Sequence, residues 1–392
     1  MTPHPKCLIR RIAITLLAFS FLKQCGVYGD HHMHSNPPFW VNKRNSEAPL
    51  RVTNRCEEEI YPGVQTQSGT GPLQSGFRLA PGDSVLQSVS ADWQGRVWGR
   101  TNCSFNAQGT APANNAPGQA CSTGDCGGAV DCQGAGQPPA SLAEFTLESG
   151  SKQTFYDISL VDGYNIPMAL ISLRDIAIKD KTSIDDNDDA WDEIPPNLTN
   201  PICIGTSSLL EPANTISKSD PKSFEAGTNE TYPLPLEEIL DSSTVSSWCP
   251  WDLQLSPPVR PGDGVYPYPD QTITRPTFQA CYSACAKWAD PKHCCTGRFS
   301  SPATCQPSQY SDQAKKVCPD AYSYAFDDQA STFIIPSGGG FEVVFCPRGR
   351  STTILSTLRE EVNELAQGGK VTERIRDKAR RVGLDKTDLG VG

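Results

Sequence analysis

From residue 50 to residue 173 the chain sets short alternating or apolar runs between clusters of Gly, Pro, Asn and Asp. Arg51-Val52-Thr53, residues 84–89, Arg96-Val97-Trp98 and residues 144–147, 156–161 and 168–173 are such runs. Brief strands at regular spacing predict a mainly β fold, an antiparallel sandwich or barrel. Apolar strands return at residues 332–335 and 341–345. Between them the pattern breaks in three places. Residues 109–136 are rich in Gly, Ala and Cys, a small loop region whose order must come from bridges. Residues 174–247 carry an acidic run at 185–193, then Pro195-Pro196 and a long Ser-, Thr- and Pro-rich stretch, which predicts a solvated insertion loop. Residues 249–318 concentrate cysteines at short spacings, so disulfides rather than core size are expected to order a partly helical second lobe.

The ends differ again. Lys6, Arg10 and Arg11 precede a short apolar run at 12–22, with Val27 and Gly29 before Asp30, so residues 1–29 read as a signal peptide. Residues 30–44 form a polar spacer or propeptide ending in the dibasic pair Lys43-Arg44; its His31, His32 and His34 are expected to belong to that spacer rather than to a metal site. Past Cys346, Leu355, Leu358, Val362 and Leu365 recur at helical spacing among charged residues. Gly368-Gly369 interrupts them, and residues 371–382 offer a second, basic helix. The expectation for 348–392 is a helical or disordered extension, lightly attached to the domain.

Cysteine content then fixes the compartment. Of 16 cysteines, Cys7 and Cys25 belong to the leader, which leaves an even set from Cys56 to Cys346. Such a set behind a signal peptide predicts a disulfide framework and an extracellular, secreted protein. Asn197-Leu198-Thr199 and Asn229-Glu230-Thr231 match N-glycosylation sequons, consistent with surface loops. The 392-residue chain has a formal net charge of −10, with 44 acidic against 34 basic side chains. Repulsion from phosphate argues against nucleic acid and leaves a neutral polymer as the easier partner. No metal or cofactor is expected, because the cysteines are committed to bridges and only His293 lies outside residues 1–34. With no long apolar surface run, a monomer is expected.

Six segments carry a family signal: RVWGRTNCSF at 96–105, CSTGDCGGAVDC at 121–132, LAEFTL at 142–147, YDISLVDGYNIPM at 156–168, CPDAYSYAFDD at 318–328 and VVFCP at 343–347. Together, and in this order, they resemble the thaumatin-like proteins, the pathogenesis-related family that includes osmotin. The resemblance covers roughly 50–173 and 249–347 and implies a thaumatin-like domain over 45–347. That fold is an antiparallel β-sandwich with a disulfide-rich, partly helical second lobe. It also implies the pairs Cys56–Cys346, Cys103–Cys121, Cys126–Cys132, Cys203–Cys318, Cys249–Cys281, Cys285–Cys294 and Cys295–Cys305. An eighth bridge common in the family is missing, its second cysteine falling near Ile335. The 174–247 insertion and the 347–392 tail are departures from compact members and match long, fungal-type ones.

The resemblance further implies an acidic cleft between sandwich and lobe, with Arg100, Glu144, Asp157, Asp162 and Asp327 as its charged residues and Asp328 as an alternative to Asp327. Tyr156, Tyr164 and Phe326 lie beside these positions and are expected to stack on sugar rings. The residue types suit glycosidic hydrolysis, which needs one carboxylic acid for the leaving oxygen and a second carboxylate as nucleophile or base. Glu144 is assigned as the acid and Asp162 as its partner, with Arg100 and Asp157 orienting them. The same residues also fit a structural ion pair of Arg100 with Asp157 or Asp162 in a solvated groove. Two functions therefore stay open. One is a binder and weak endo-β-1,3-glucanase of cell-wall β-1,3-glucan. The other is a non-catalytic antifungal, effector or hydrolase-inhibitor protein that acts by binding a glucan, a membrane or a protein target.

Overall fold

The computed structural model of the chain describes residues 47–116, 118–173, 194–212, 232–257, 277–368 and 370–382. The expected signal peptide, the spacer ending in Lys43-Arg44, the acidic run and Asn229 lie outside them. The strands are β1 (Glu47–Asn54), β2 (Tyr61–Ser68), β3 (Ser84–Ser90), β4 (Gln94–Cys103), β5 (Cys121–Thr123), β6 (Leu142–Thr146), β7 (Gln153–Ser159), β8 (Met168–Leu173), β9 (Ile202–Cys203), β10 (Phe333–Pro336) and β11 (Gly340–Phe345). The helices are α1 (Ser242–Ser246), α2 (Ala284–Trp288), α3 (Gln309–Val317), α4 (Ile354–Thr357), α5 (Arg359–Gly368) and α6 (Glu373–Arg381).

Period-two alternation explains the sandwich. In β4, β6 and β7 the inward residues are Val97, Ala143, Phe145, Tyr156 and Ile158, all buried in the main core. They meet Leu50, Val52, Met168, Leu170, Phe341, Val343 and Phe345 in the same core. One sheet is five-stranded in the order β3-β1-β11-β8-β9; the other is six-stranded, β10-β7-β6-β4-β2 with β5 paired to β4. All neighbours are antiparallel except β1 and β11, which run parallel from Leu50↔Phe341 to Asn54↔Phe345. Cys56–Cys346 ties that parallel pair together just past its end. All seven pairings implied by the resemblance are present as disulfides.

The second lobe holds α2 and α3 between its bridges. Ser308 caps α3 reciprocally with Ser311, and Tyr310 from its first turn donates to the Leu160 carbonyl at 2.7 Å. Tyr164, Trp248 and Phe278 form an edge-on aromatic cluster that joins lobe to sandwich.

Two expectations about the additions are corrected. The described parts of the insertion are not a solvated loop. Ile202 and Ile204, with Leu209, Leu210, Leu234 and Leu236 packed on them, cover Ala169, Ile171 and Val344 on the outer face of the five-stranded sheet. The tail is not lightly attached either. Ile354, Leu358, Val362, Leu365 and Ile375 are buried in the main core, and α5 packs against β10. The amphipathic spacing was legible; the apolar surface awaiting it was not. Ile335, where the missing bridge would end, is itself buried in that core, so helix packing covers the place the resemblance reserves for a disulfide.

Insertion and tail also hold each other. Leu210 bridges to Gly349 and Leu236 to Thr352. Arg350, 2% exposed, pairs with Glu237 at 2.7 Å and donates to the carbonyls of Glu211, Glu237 and Leu240. Buried Asp320 accepts from the amides of Ile354 and Leu355 at 2.8 and 2.9 Å, satisfying donors that the start of α4 would otherwise leave orphaned.

Candidate functional site

The outer face of the six-stranded sheet carries the positions opposite to the core. Strand register lines up Gln65, Arg96, Glu144 and Asp157, one from each of β2, β4, β6 and β7. Residues directly opposite on neighbouring strands place their Cβ atoms about 4.5–5.5 Å apart, so this row is a polar strip, charged from Arg96 to Asp157, on a rigid support. Asp162 joins it from the turn after β7. Arg96 reaches Glu144 at 3.8 Å and Asp162 at 4.0 Å, and all three side chains remain about one-third exposed, at 30%, 36% and 37%. The segment after α3 borders the row: Asp328 accepts from the Tyr322 hydroxyl at 2.8 Å, and Tyr322 also bonds Thr332.

One cation faces several acids here, and proton affinities follow. Partial burial raises the Glu144 carboxyl above its usual range; Arg96 opposes this and Asp162 adds to it. Asp157 is pushed well above the carboxylate range by burial first, then by repulsion from Glu144 and Asp328. Asp162 is raised by burial, with Arg96 opposing. Carboxylates held in such a cluster are pushed apart in proton affinity, the difference that acid–base chemistry needs.

Several expected site residues lie elsewhere. Arg100 does not join the carboxylates. It shares a strand and a face with Arg96 but sits four residues on, roughly 13 Å along an extended chain, beneath the loop stapled by Cys126–Cys132. There it is fully buried and donates to the carbonyls of Tyr61, Pro62, Ala129 and Val130. Burial lowers its pKa to about 10, with Asp125 the leading charge that opposes the shift, so it stays cationic and structural. Asp125 in turn accepts four amides, those of Ala120, Cys121, Gly127 and Gly128, which explains the carboxylate in CSTGDCGG.

Tyr156 points the other way from Asp157, as adjacent strand residues must. It is buried between Phe333 and Phe341, with its hydroxyl on the Thr199 carbonyl at 2.7 Å. Tyr164 is also fully buried and bonds Thr206 and the Gly205 amide, so neither ring can stack on a sugar. Asp327 binds the Ser323 amide and hydroxyl and pairs with Lys315 at 3.1 Å, closing its own turn, while its neighbour Asp328 is the one that acts on Asp157. Phe326 is half-buried in that turn. Asn197 is no surface acceptor: it is fully buried, and its amide donates to the carbonyls of Pro233 and Ala379, the latter within α6.

Arg96 is thus the residue that sequence reading missed. Alternation cannot separate it from Arg100, since R-V-W-G-R puts both on one face. The pairing of β4 with β6, some forty residues later, does.

The chain matches the family model described as the Thaumatin family over residues 54–347. It is 35% identical to a pathogenesis-related thaumatin-like protein 3.5 of Cryptomeria japonica, over 76% of this chain and 88% of that one. It is 32% identical to a glucan endo-1,3-beta-glucosidase of Prunus avium, over 76% of this chain and 91% of that one. Among solved structures, the thaumatin-like xylanase inhibitor TLXI is 32% identical, with a TM-score of 0.25, over 31% of this chain and 75% of that one. From the six motifs to the sandwich and its seven bridges, sequence and structure converge: this chain belongs to the thaumatin family.

Proposed function

We propose that this protein binds cell-wall β-1,3-glucan along the charged outer face of the six-stranded sheet and hydrolyses it weakly as an endo-β-1,3-glucanase. The observation that carries this reading is the placement of two part-exposed carboxylates, Glu144 and Asp162, within 4.0 Å of one arginine, Arg96. Glu144, with its raised proton affinity, protonates the leaving oxygen. Asp162 serves as nucleophile, or as base for water. Arg96 holds both in place. The similarity to a protein named glucan endo-1,3-beta-glucosidase supports the same substrate class. The seven bridges support an extracellular site of action, since such a framework forms in an oxidising compartment. Among the described residues no helix is long and apolar enough to cross a membrane.

One observation favours a second reading. Arg96 touches both carboxylates, and a cation favours their ionised forms, which accept hydrogen bonds from sugar hydroxyls without any proton transfer. The site is then a glucan-binding groove. Release of reducing sugar from linear β-1,3-glucan, measured beside Glu144→Gln, separates the two. Turnover that is lost in the variant while glucan pull-down persists supports the hydrolase. Pull-down without turnover in either protein leaves the binder, and neither pull-down nor turnover removes both.

A further inference from the structure

We propose that Asp157 is the resident proton carrier of this site: the Asp157–Glu144 pair shares one proton, which rests on Asp157 in the free protein and reaches substrate through Glu144. The delivery step rests on the hydrolytic reading above; the residence of the proton does not.

Asp157 and Glu144 are register partners across β6 and β7, on the same outer face of the sheet, and the Glu144 charge raises the proton affinity of Asp157 through space. Like charges so placed are destabilising, and a pair of carboxylates that close holds on to a proton. What decides its position is asymmetry. Glu144 has Arg96 at 3.8 Å on its other side and the Ser159 hydroxyl beside it, both favouring its ionised form. Asp157 has no such partner at one oxygen. Its Oδ1 is out of contact with water and receives no hydrogen bond among the described residues. An ionised carboxylate with a buried, unpaired oxygen is costly; protonation makes the carboxyl a donor, with the Glu144 carboxylate as its neighbour across the strands.

The remaining charged and titratable groups around Asp157 point the same way. Asp328, from the segment after α3, repels its ionised form, and Arg96 from β4 attracts it less than these effects oppose it. Tyr322, bonded to Asp328 and Thr332, is itself raised in part by Asp157, and burial keeps it an uncharged hydroxyl. Asp162 lies 4.0 Å from Arg96 and acts on Glu144.

In turnover the proton moves from Asp157 to Glu144 and from Glu144 to the glycosidic oxygen, as the C–O bond breaks and its electron pair goes to the leaving oxygen. Water supplies the hydroxyl of the other product, and the proton it loses refills the pair. Asp157 is therefore a positioning residue that never touches the sugar. Both residues are half-buried, but the solvent-excluded Oδ1 of Asp157 suits storage, as the part-exposed Glu144 side chain suits delivery.

The test is a carbon-13 carboxyl titration of the free protein, with resonances assigned through Asp157→Asn and Glu144→Gln. The expected result is an Asp157 carboxyl that stays protonated well past the ordinary aspartate value of about 3.9, with its midpoint falling once Glu144 is neutral. An Asp157 that titrates in the ordinary range overturns the proposal, whatever the activity. The pH–rate profile is the second readout: Asp157→Asn moves the alkaline limb toward acid by about one pH unit or more, and glucan pull-down is unchanged. An unmoved limb in a folded Asp157→Asn protein removes the delivery role. Absence of turnover with the titration as expected refutes the hydrolase reading and leaves the proton on Asp157.

Discussion

Two arginine–carboxylate clusters in this molecule use the same groups to opposite ends. In the layer made by insertion and tail, Arg350 is buried against Glu237 at 2.7 Å and its remaining donors meet three carbonyls. On the sheet face, Arg96 stands 3.8 and 4.0 Å from two acids, a third acid lies in register beyond, and among the described residues two buried oxygens of the row, Gln65 Oε1 and Asp157 Oδ1, have no donor. The first cluster is satisfied: each group is there because another needs it. The second carries more acid than its cation can neutralise, and it stays open to solvent. Structural networks perturb proton affinities too, so a shifted pKa alone would not separate the two. Complete pairing on one side and incomplete pairing on the other does, and it supports the sheet face as the proposed binding place.

The comparison breaks first at Arg350. Arg350→Ala strands Glu237 in a buried site and frees three carbonyls, so a loss of about 3–5 kcal/mol is expected in urea unfolding. A loss below about 1 kcal/mol would mean that water enters and the cluster is not closed. Next come the tail's apolar anchors. Leu365→Ala removes a fully buried side chain of α5 from the main core and should cost about 2–5 kcal/mol. A near-neutral result by the same unfolding assay would show that the tail only lies against the domain. Asn197→Ala should cost about 1–3 kcal/mol, because it leaves the carbonyls of Pro233 and Ala379 without their donor. Mass spectrometry of the folded protein should find no glycan on Asn197, and a glycosylated Asn197 in a protein with its tail packed would contradict this geometry.

The smallest effects belong to the sheet face. Arg96→Ala should change stability by under about 1 kcal/mol, as expected for part-exposed pairs, yet weaken glucan binding. The pH dependence runs with the raised carboxyls. Because Asp157 binds its proton more tightly folded than unfolded, its contribution is most favourable below the ordinary aspartate value and is lost as pH rises through the folded one. Asp157→Asn should therefore raise Tm at about pH 7 and leave it nearly unchanged at about pH 3.5. A variant less stable than the parent at neutral pH would reverse that sign.

Much of this was legible in the chain. The short runs at 96–98, 144–147 and 156–161 predicted strands, and Val97, Phe145 and Tyr156 are buried in them; strand alternation also removes Tyr156 from the sugar site, since Asp157 beside it faces out. Glu144, Asp157 and Asp162 were named through the family resemblance that LAEF and YDISLVDG carry; strand register then aligns the first two, and Asp162 follows from the turn. Arg96 was not, because which of two arginines on one face meets Glu144 depends on the register between distant strands. The roles of Asn197 and Leu365 were hidden for a related reason. A sequon and an amphipathic helix look like surface features until a partner far along the chain covers them. Local signals show which way a side chain points; what it meets there is a tertiary fact.

The central claim is that ligand binds where charge is unbalanced, at Arg96, Glu144 and Asp162, with Asp157 behind them. Amide chemical shifts recorded while a β-1,3-linked gluco-oligosaccharide is titrated into the protein test this most directly. Changes centred on Arg96, Glu144, Asp157, Ser159 and Asp162, and weakened by Arg96→Ala, are the predicted result. Changes confined to the insertion–tail layer or the second lobe, or no changes at saturating sugar, would contradict it.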